Sequence, residues 1–192
     1  MGRLAVFGYG SLASPESAAE TLGRPVDAIP ARLRGWRRRW TVCRDNLASE
    51  KTFALADGSV PPYVLGLNLE PEEDCTANGV LIELTESEAD RLDLREVRYD
   101  RVDVTGAAAS AEGATPGYTV ITYVAKPERY APSPPAGAVV MATYLSTVEA
   151  AFAALGDGEL ERFRATTDAP PVDAIEATLV RDAIPPGNPR RW

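Results

Sequence analysis

The stretch Leu4-Ala5-Val6-Phe7-Gly8-Tyr9-Gly10-Ser11-Leu12 decides how the N-terminal part of the chain folds. Its apolar residues predict a buried strand, and the glycines that follow at once predict a tight loop. Glycines let a backbone approach a ligand, and consecutive N–H groups in such a loop can hold a carboxylate or a developing oxyanion. The spacing fits equally a plain strand-to-helix turn with Tyr9 packed in the core. It is neither a Walker loop nor a GxGxxG fingerprint, because the lysine and the third glycine are missing.

Strands and helices are both expected further along the chain. Apolar spacing and capping residues predict helices at 15–22, 86–94, 141–155 and 159–164. Strands are predicted at 4–8, 31–44, 63–69, 78–84, 97–104 and 118–125, with Gly35 marking a turn or bulge. Loops are predicted at 45–62, 105–117 and the proline-rich 127–137. The pattern is mixed α+β, and closure of the sheet into a small barrel with flanking helices fits it.

Composition limits the classes of function. The 192 residues suit one domain, which we assign to 1–169, followed by a Pro-rich C-terminal arm at 170–192. The formal net charge of −8 argues against a nucleic-acid partner, since phosphate binding needs a basic surface. No apolar run approaches a membrane span, so we expect no membrane partner and a cytoplasmic protein. Whether Cys43 and Cys75 pair, and what the oligomeric state is, the sequence leaves open.

The chain contains no histidine, and this directs attention to its carboxylates. Ser-His-Asp and Cys-His catalysis are excluded, a zinc site is improbable, and proton transfer falls to carboxylates, tyrosine, lysine or water. In Leu92-Asp93-Leu94-Arg95-Glu96, a glutamate stands where a predicted helix gives way to a strand. Burial at such a junction would raise its pKa towards that of a useful base. A solvated Arg95–Glu96 surface fits the same residues.

Two further segments combine aromatic and polar character. In Arg34-Gly35-Trp36-Arg37-Arg38-Arg39-Trp40, basic residues alternate with tryptophans, which could indicate RNA binding. Core-facing tryptophans with arginines that extend to solvent fit better, and one arginine could still bind a carboxylate substrate. Tyr144-Leu145 begins a late helix, where the tyrosine could donate a hydrogen bond to a ligand or simply pack in the core.

Taken in order, these motifs resemble those of the γ-glutamylcyclotransferase-like superfamily. The resemblance covers roughly residues 3–126, extends weakly to Tyr144-Leu145, and rests on Phe7–Leu12 with Pro15, Ala31–Trp36, Asn78–Leu84, Leu92–Glu96 and Tyr99–Val104. It implies a small mixed barrel with a pocket at one mouth. Its implied activity is a cyclotransferase, of acyltransferase or lyase type, that releases 5-oxoproline from a small-molecule γ-glutamyl amine or peptide without cofactor or metal.

The resemblance also assigns roles to residues of this chain. It implies that Glu96 is the catalytic acid/base, and that the substrate is bound by Tyr9, Gly10, Ser11, Leu12 and, less securely, Tyr144. The chain departs from parts of the family at Leu12, at Arg95 and at Val97, where some branches have Asn, Gln and Gly. These departures leave the branch and the leaving amine undecided. The alternative is a ligand-binding or regulatory protein that keeps the fold without turnover.

Overall fold

The computed structural model describes residues 2–110 and 117–189. Within these residues, ten strands lie, in chain order, at β1 Arg3–Gly8, β2 Ile29–Asp45, β3 Lys51–Ala54, β4 Tyr63–Leu84, β5 Tyr99–Asp103, β6 Ala108–Ser110, β7 Tyr118–Ala125, β8 Ala138–Met141, β9 Ala174–Ile175 and β10 Thr178–Asp182. The same described ranges contain four α-helices, at α1 Pro15–Leu22, α2 Glu86–Arg95, α3 Ala142–Ala154 and α4 Glu159–Ala165. The predicted mixed α+β class is confirmed.

The main sheet joins the N-terminal strand to the middle of the chain. Its strand order is β5-β7-β1-β4-β2-β6, with β8 pairing on β4 and β9 on β8. β1 runs antiparallel to β4 and parallel to β7, so the loop after Gly8 lies at one edge of three central strands. β3 and β10 form a separate two-stranded sheet. Closure of the main sheet into a barrel stays a prediction.

Local sequence signals explain where α1 and α2 begin. Ser14 caps α1 by accepting a hydrogen bond from the backbone N–H of Ser17, and Gly23 ends the helix at φ 74°. Thr85 and Glu88 form the predicted capping box of α2. These contacts fix where α2 begins. The helix ends at Arg95, and β5 begins at Tyr99.

Several predicted boundaries are wrong. The strands predicted at 63–69 and 78–84 are one strand, β4, because residues 71–76 bulge opposite Trp36 without ending the pairing. The predicted loop 45–62 contains β3, which pairs with β10 of the C-terminal segment. The predicted loop 105–117 contains β6 on the edge of β2, while its part 111–116 lies outside the described residues. The proline-rich segment contains a single 3₁₀ turn, Pro127–Arg129.

The arginine-rich part of β2 is bound into the protein. Arg38 is fully buried, where the expectation was an arginine that extends to solvent. Its guanidinium lies 5.1 Å from the ring of Phe152 and 4.6 Å from that of Phe163, and it donates to the Asn78 side-chain oxygen at 2.6 Å. The neighbouring arginines pair with Glu70, Glu72 and Asp168. Carboxylates and ring faces thus account for the charges of Arg37, Arg38 and Arg39.

Two further observations concern sequence features left open above. Cys43 is half-buried and Cys75 is buried, and both thiols are free. Across 2–110 and 117–189, no helix is long and apolar enough to cross a membrane.

Candidate active site

A small pocket lies where the loop after β1 meets the end of α2. Its volume is about 40 Å³. All six residues proposed from the sequence for catalysis and substrate binding line it: Tyr9, Gly10, Ser11, Leu12, Glu96 and Tyr144. Aromatic and apolar side chains complete the wall: Phe7, Leu67, Tyr99 and Tyr123. Residues separated by more than 130 positions in the chain therefore meet at one place.

The glycine loop is shaped by a single 3₁₀ turn, Ser11–Ala13. The N–H of Ala13 donates to the carbonyl of Gly10 at 2.9 Å, and Ser14 then begins α1. A Cβ atom built on Gly10 would lie 3.0 Å from the hydroxyl oxygen of Tyr144. This close approach is the physical reason for glycine at position 10, since a larger residue would displace the tyrosine.

The tyrosines of the pocket are held by contacts within the protein. The hydroxyl of Tyr9 donates to the Tyr123 carbonyl at 2.8 Å, and that of Tyr99 donates to the Leu67 carbonyl at 2.9 Å. The ring of Tyr144 packs edge-on against Trp40 at a centroid distance of 6.1 Å. Burial, with Glu96 nearby, raises the pKa of Tyr144, so its hydroxyl keeps its proton and can donate to a ligand.

Glu96 occupies the C-cap position of α2. Its N–H donates to the Leu92 carbonyl at 2.8 Å, and its own carbonyl accepts from the N–H of Tyr99 at 2.8 Å. These bonds fix the side chain at the helix-to-strand junction, where it is only 15% exposed. Burial raises the pKa of this carboxyl above its ordinary value, although the cations of Arg95 and Arg98 oppose the shift.

Arg95 connects the two halves of the pocket. Its side chain is fully buried, so the solvated Arg95–Glu96 surface considered from the sequence is wrong. Its Nε lies 3.0 Å from Oε1 of Glu96, and its Nη2 donates to the hydroxyls of Ser11 and Ser17, each at 3.0 Å. The helix periodicity that places Leu92 and Arg95 on one buried face was the signal that could have indicated this contact.

A larger cleft of about 450 Å³ adjoins the pocket. The two share Ser11, Glu96, Tyr99 and Tyr144, so Glu96 stands between them. The arginines at 34 and 37–39 line neither, which removes the idea that one of them binds a substrate carboxylate here. Within the described part of the chain, no group of three or more Asp, Glu or Cys side chains is placed to hold a metal ion.

Comparisons with known proteins identify the family of the chain and structures with a similar fold. The family model described as "Gamma-glutamyl cyclotransferase, AIG2-like" matches residues 6–139. A solved structure described as a γ-glutamyl cyclotransferase is similar at 16% identity and a TM-score of 0.61, over 88% of this chain and 89% of that one. An uncharacterized human protein is similar at 16% identity and a TM-score of 0.64, over 88% and 90%.

A yeast enzyme, described as a γ-glutamyl cyclotransferase specific to glutathione, is similar at 15% identity and a TM-score of 0.52, over 87% and 98%. Identities this low carry the fold alone. A search of curated proteins finds no match. The family and the mixed α+β fold are thus established, and the pocket is the candidate active site of this chain.

Proposed function

Because this chain belongs to the γ-glutamyl cyclotransferase, AIG2-like family, we propose that it releases 5-oxoproline from a γ-glutamyl amine or peptide. One observation carries the proposal: a buried glutamate and a glycine loop line the same pocket. The roles of the individual residues are part of the proposal. Glu96 is the general acid/base, and Tyr9, Gly10, Ser11, Leu12 and Tyr144 bind the substrate.

The proposed reaction is intramolecular. The α-amine nitrogen of the substrate attacks its own γ-carbonyl carbon, a C–N bond closes the five-membered ring, and the original amide C–N bond then breaks. Because both reacting groups belong to one molecule, binding it in a folded conformation supplies much of the acceleration. A pocket lined by rigidly held tyrosines supports such a role.

The proton is moved by Glu96. An α-amine has a pKa of about 8 and is largely protonated at neutral pH, so a base must remove a proton before attack. Because burial raises the pKa of Glu96, this pKa lies closer to the pKa of the substrate amine. The protonated glutamate gives this proton to the nitrogen of the leaving amine as the amide C–N bond breaks. The regenerated carboxylate then removes the second proton from the ring nitrogen and passes it to the departing amine, which leaves as an ammonium ion. The tetrahedral oxyanion between these steps needs donors, and we assign this role to backbone N–H groups of the glycine loop, whose residues line the pocket.

The test is the variant Glu96→Gln, which keeps the shape and an oxygen that can accept from Arg95. We expect 5-oxoproline release to fall by about 10²- to 10⁴-fold, the usual contribution of a general acid/base. Glu86→Gln is the matched control, because Glu86 is an exposed carboxylate on the same helix. Unchanged turnover in Glu96→Gln would contradict the mechanism. Substrate binding without turnover in the wild type would favour a binding or regulatory role instead.

A further inference from the structure

The cleft beside the pocket indicates the chemical class of the leaving amine, an inference that rests on the proposed function. The pocket of about 40 Å³ is too small for a whole γ-glutamyl compound, whereas the cleft of about 450 Å³ lies in the range of small-molecule sites. The two spaces meet at Glu96. A substrate whose γ-carbonyl lies beside Glu96 must therefore extend its leaving part into the cleft.

The charge of the cleft differs from that of the protein. The chain has a net charge of −8, yet cationic side chains outnumber carboxylates in the lining of this cleft. The cations are Arg44, Lys51, Arg95 and Arg98, and the carboxylates are Glu50 and Glu96. Arg98 pairs with Glu50 at 2.8 Å, and Arg95 pairs with Glu96 at 3.0 Å. Arg44 also lines the cleft, and no carboxylate of the described residues forms an ion pair with it, so this part of the cleft suits an anionic ligand.

Arg44 contacts neutral groups of the described residues. Its Nη2 donates to the Asn46 side-chain oxygen at 3.1 Å, and its guanidinium lies 5.0 Å from the ring of Phe53. Its Nε is buried, and none of the described residues accepts a hydrogen bond from it. Burial, together with the like charge of Arg98, lowers the pKa of Arg44 to about 10, so the group stays protonated at neutral pH. A bound anion would offset this cost, and a guanidinium suits a carboxylate best.

Beside the charged residues, the cleft has hydroxyl groups on one part of its wall and an apolar part that bears on the other half of the ligand. The apolar part consists of Val42, Phe53, Val64, Leu65 and Met141. We propose that this cleft binds the leaving amine, and that Arg44, next to this apolar wall, binds the carboxylate of a leaving group that is an apolar amino acid or a peptide. The specificity of the enzyme is then for γ-glutamyl amino acids over γ-glutamyl alkylamines.

A matched pair of substrates tests the proposal. γ-Glutamyl-phenylalanine and γ-glutamyl-phenethylamine differ only in the carboxylate of the leaving group. For the wild type we expect kcat/KM, measured by 5-oxoproline release, to favour the acid by about 10- to 100-fold, as a charge-assisted hydrogen bond in a partly buried site would give. In Arg44→Gln this preference should fall to near unity. Arg164→Gln, an exposed arginine paired with Glu149 outside the cleft, should keep it.

Equilibrium binding separates failure of this inference from failure of the proposed function. Both compounds are titrated calorimetrically into the protein carrying Glu96→Gln. Turnover of both compounds at equal kcat/KM in the wild type would overturn the carboxylate site and leave the cyclotransferase intact. Stronger binding of the acid without any turnover in the wild type would support the site and overturn the reaction. Absence of both turnover and binding would overturn the two together.

Discussion

Replacing Arg95 by glutamine removes the cation nearest to Glu96, and the pH dependence of the reaction should report it. The two side chains lie 3.0 Å apart, and the side chain of Arg95 is fully buried, so solvent screens the pair little. In the proposed mechanism Glu96 must be ionised to accept the proton of the substrate amine. The acid limb of the kcat/KM profile therefore follows the pKa of Glu96 in the free enzyme.

The direction of the shift follows from the causes acting on Glu96. Burial raises the pKa of Glu96, whereas Arg95 and Arg98 lower it by stabilising the carboxylate. Removing one cation must raise this pKa further, so the ionised form appears only at higher pH. A hydrogen bond to a charged group contributes about 1.5–3 kcal/mol, and one pKa unit corresponds to about 1.36 kcal/mol. Since glutamine keeps a neutral donor at this position, we expect the acid limb to move upward by about one pH unit.

The assay needs a control for damage to the structure, because Arg95 also donates to Ser11 and Ser17. Arg91→Gln provides it: Arg91 lies one turn earlier on α2 and donates to the backbone of Thr21 on α1. Both variants should lower the midpoint of thermal unfolding, but Arg91→Gln should leave the acid limb in place. An unchanged limb in Arg95→Gln, or one displaced to lower pH, would refute the assignment of Glu96 as the titrating base.

Three further predictions concern the pocket, the buried arginine and the C-terminal segment. Gly10→Ala should reduce kcat/KM by roughly tenfold, because the new Cβ lies 3.0 Å from the Tyr144 hydroxyl oxygen. Since that hydroxyl is itself a proposed substrate ligand, the reference is Tyr144→Phe alone: adding Gly10→Ala to Tyr144→Phe should cost clearly less than tenfold, and a full tenfold loss there would show that this contact is not the cause. Arg38→Met should lower the free energy of unfolding by roughly 2–4 kcal/mol in urea titration, because buried acceptors lose their donor; a change below about 0.5 kcal/mol would be inconsistent with this. Deleting 178–192 removes the strand that pairs with β3, and β3 carries part of the cleft wall. In this variant KM for γ-glutamyl-phenylalanine should rise more than kcat falls. An unchanged KM would count against the cleft as the leaving-group site.

The local parts of the candidate site could be predicted from the sequence because each depends on neighbouring residues. The strand and the glycines around Gly10 are signalled within a few positions, and so is the capping box that starts α2. Glu96 follows the last residue of α2 as its C-cap, at the junction with the following strand. That these two elements line one pocket is a matter of sheet order, and only the resemblance to a family indicated it.

The contacts that the sequence did not reveal are long-range, and they involve charges. Arg38 and Arg95 were expected in contact with solvent, since arginine is seldom fully buried. Each is buried because partners distant in the chain supply acceptors: Asn78 and Thr166 for Arg38, and Ser11 with Ser17 for Arg95. Likewise the sequence predicts a loop where β3 lies, because these four residues form a strand only through their pairing with β10. The pattern of residues in a segment predicts whether it forms a helix or a strand, but it does not show which distant segment pairs with it.

Arg95 shows why such a long-range contact bears on function. At the position where the resemblance indicates glutamine in some branches, this chain has a cation that contacts both Glu96 and Ser11. A neutral residue at position 95 would leave the buried carboxyl of Glu96 with a higher pKa. It would also remove the charge-assisted hydrogen bond that links α2 to Ser11 in the glycine loop. The substitution thus couples the position of the loop to the protonation of the glutamate, so the proposed acid/base and the proposed carbonyl-binding loop cannot vary independently in this protein.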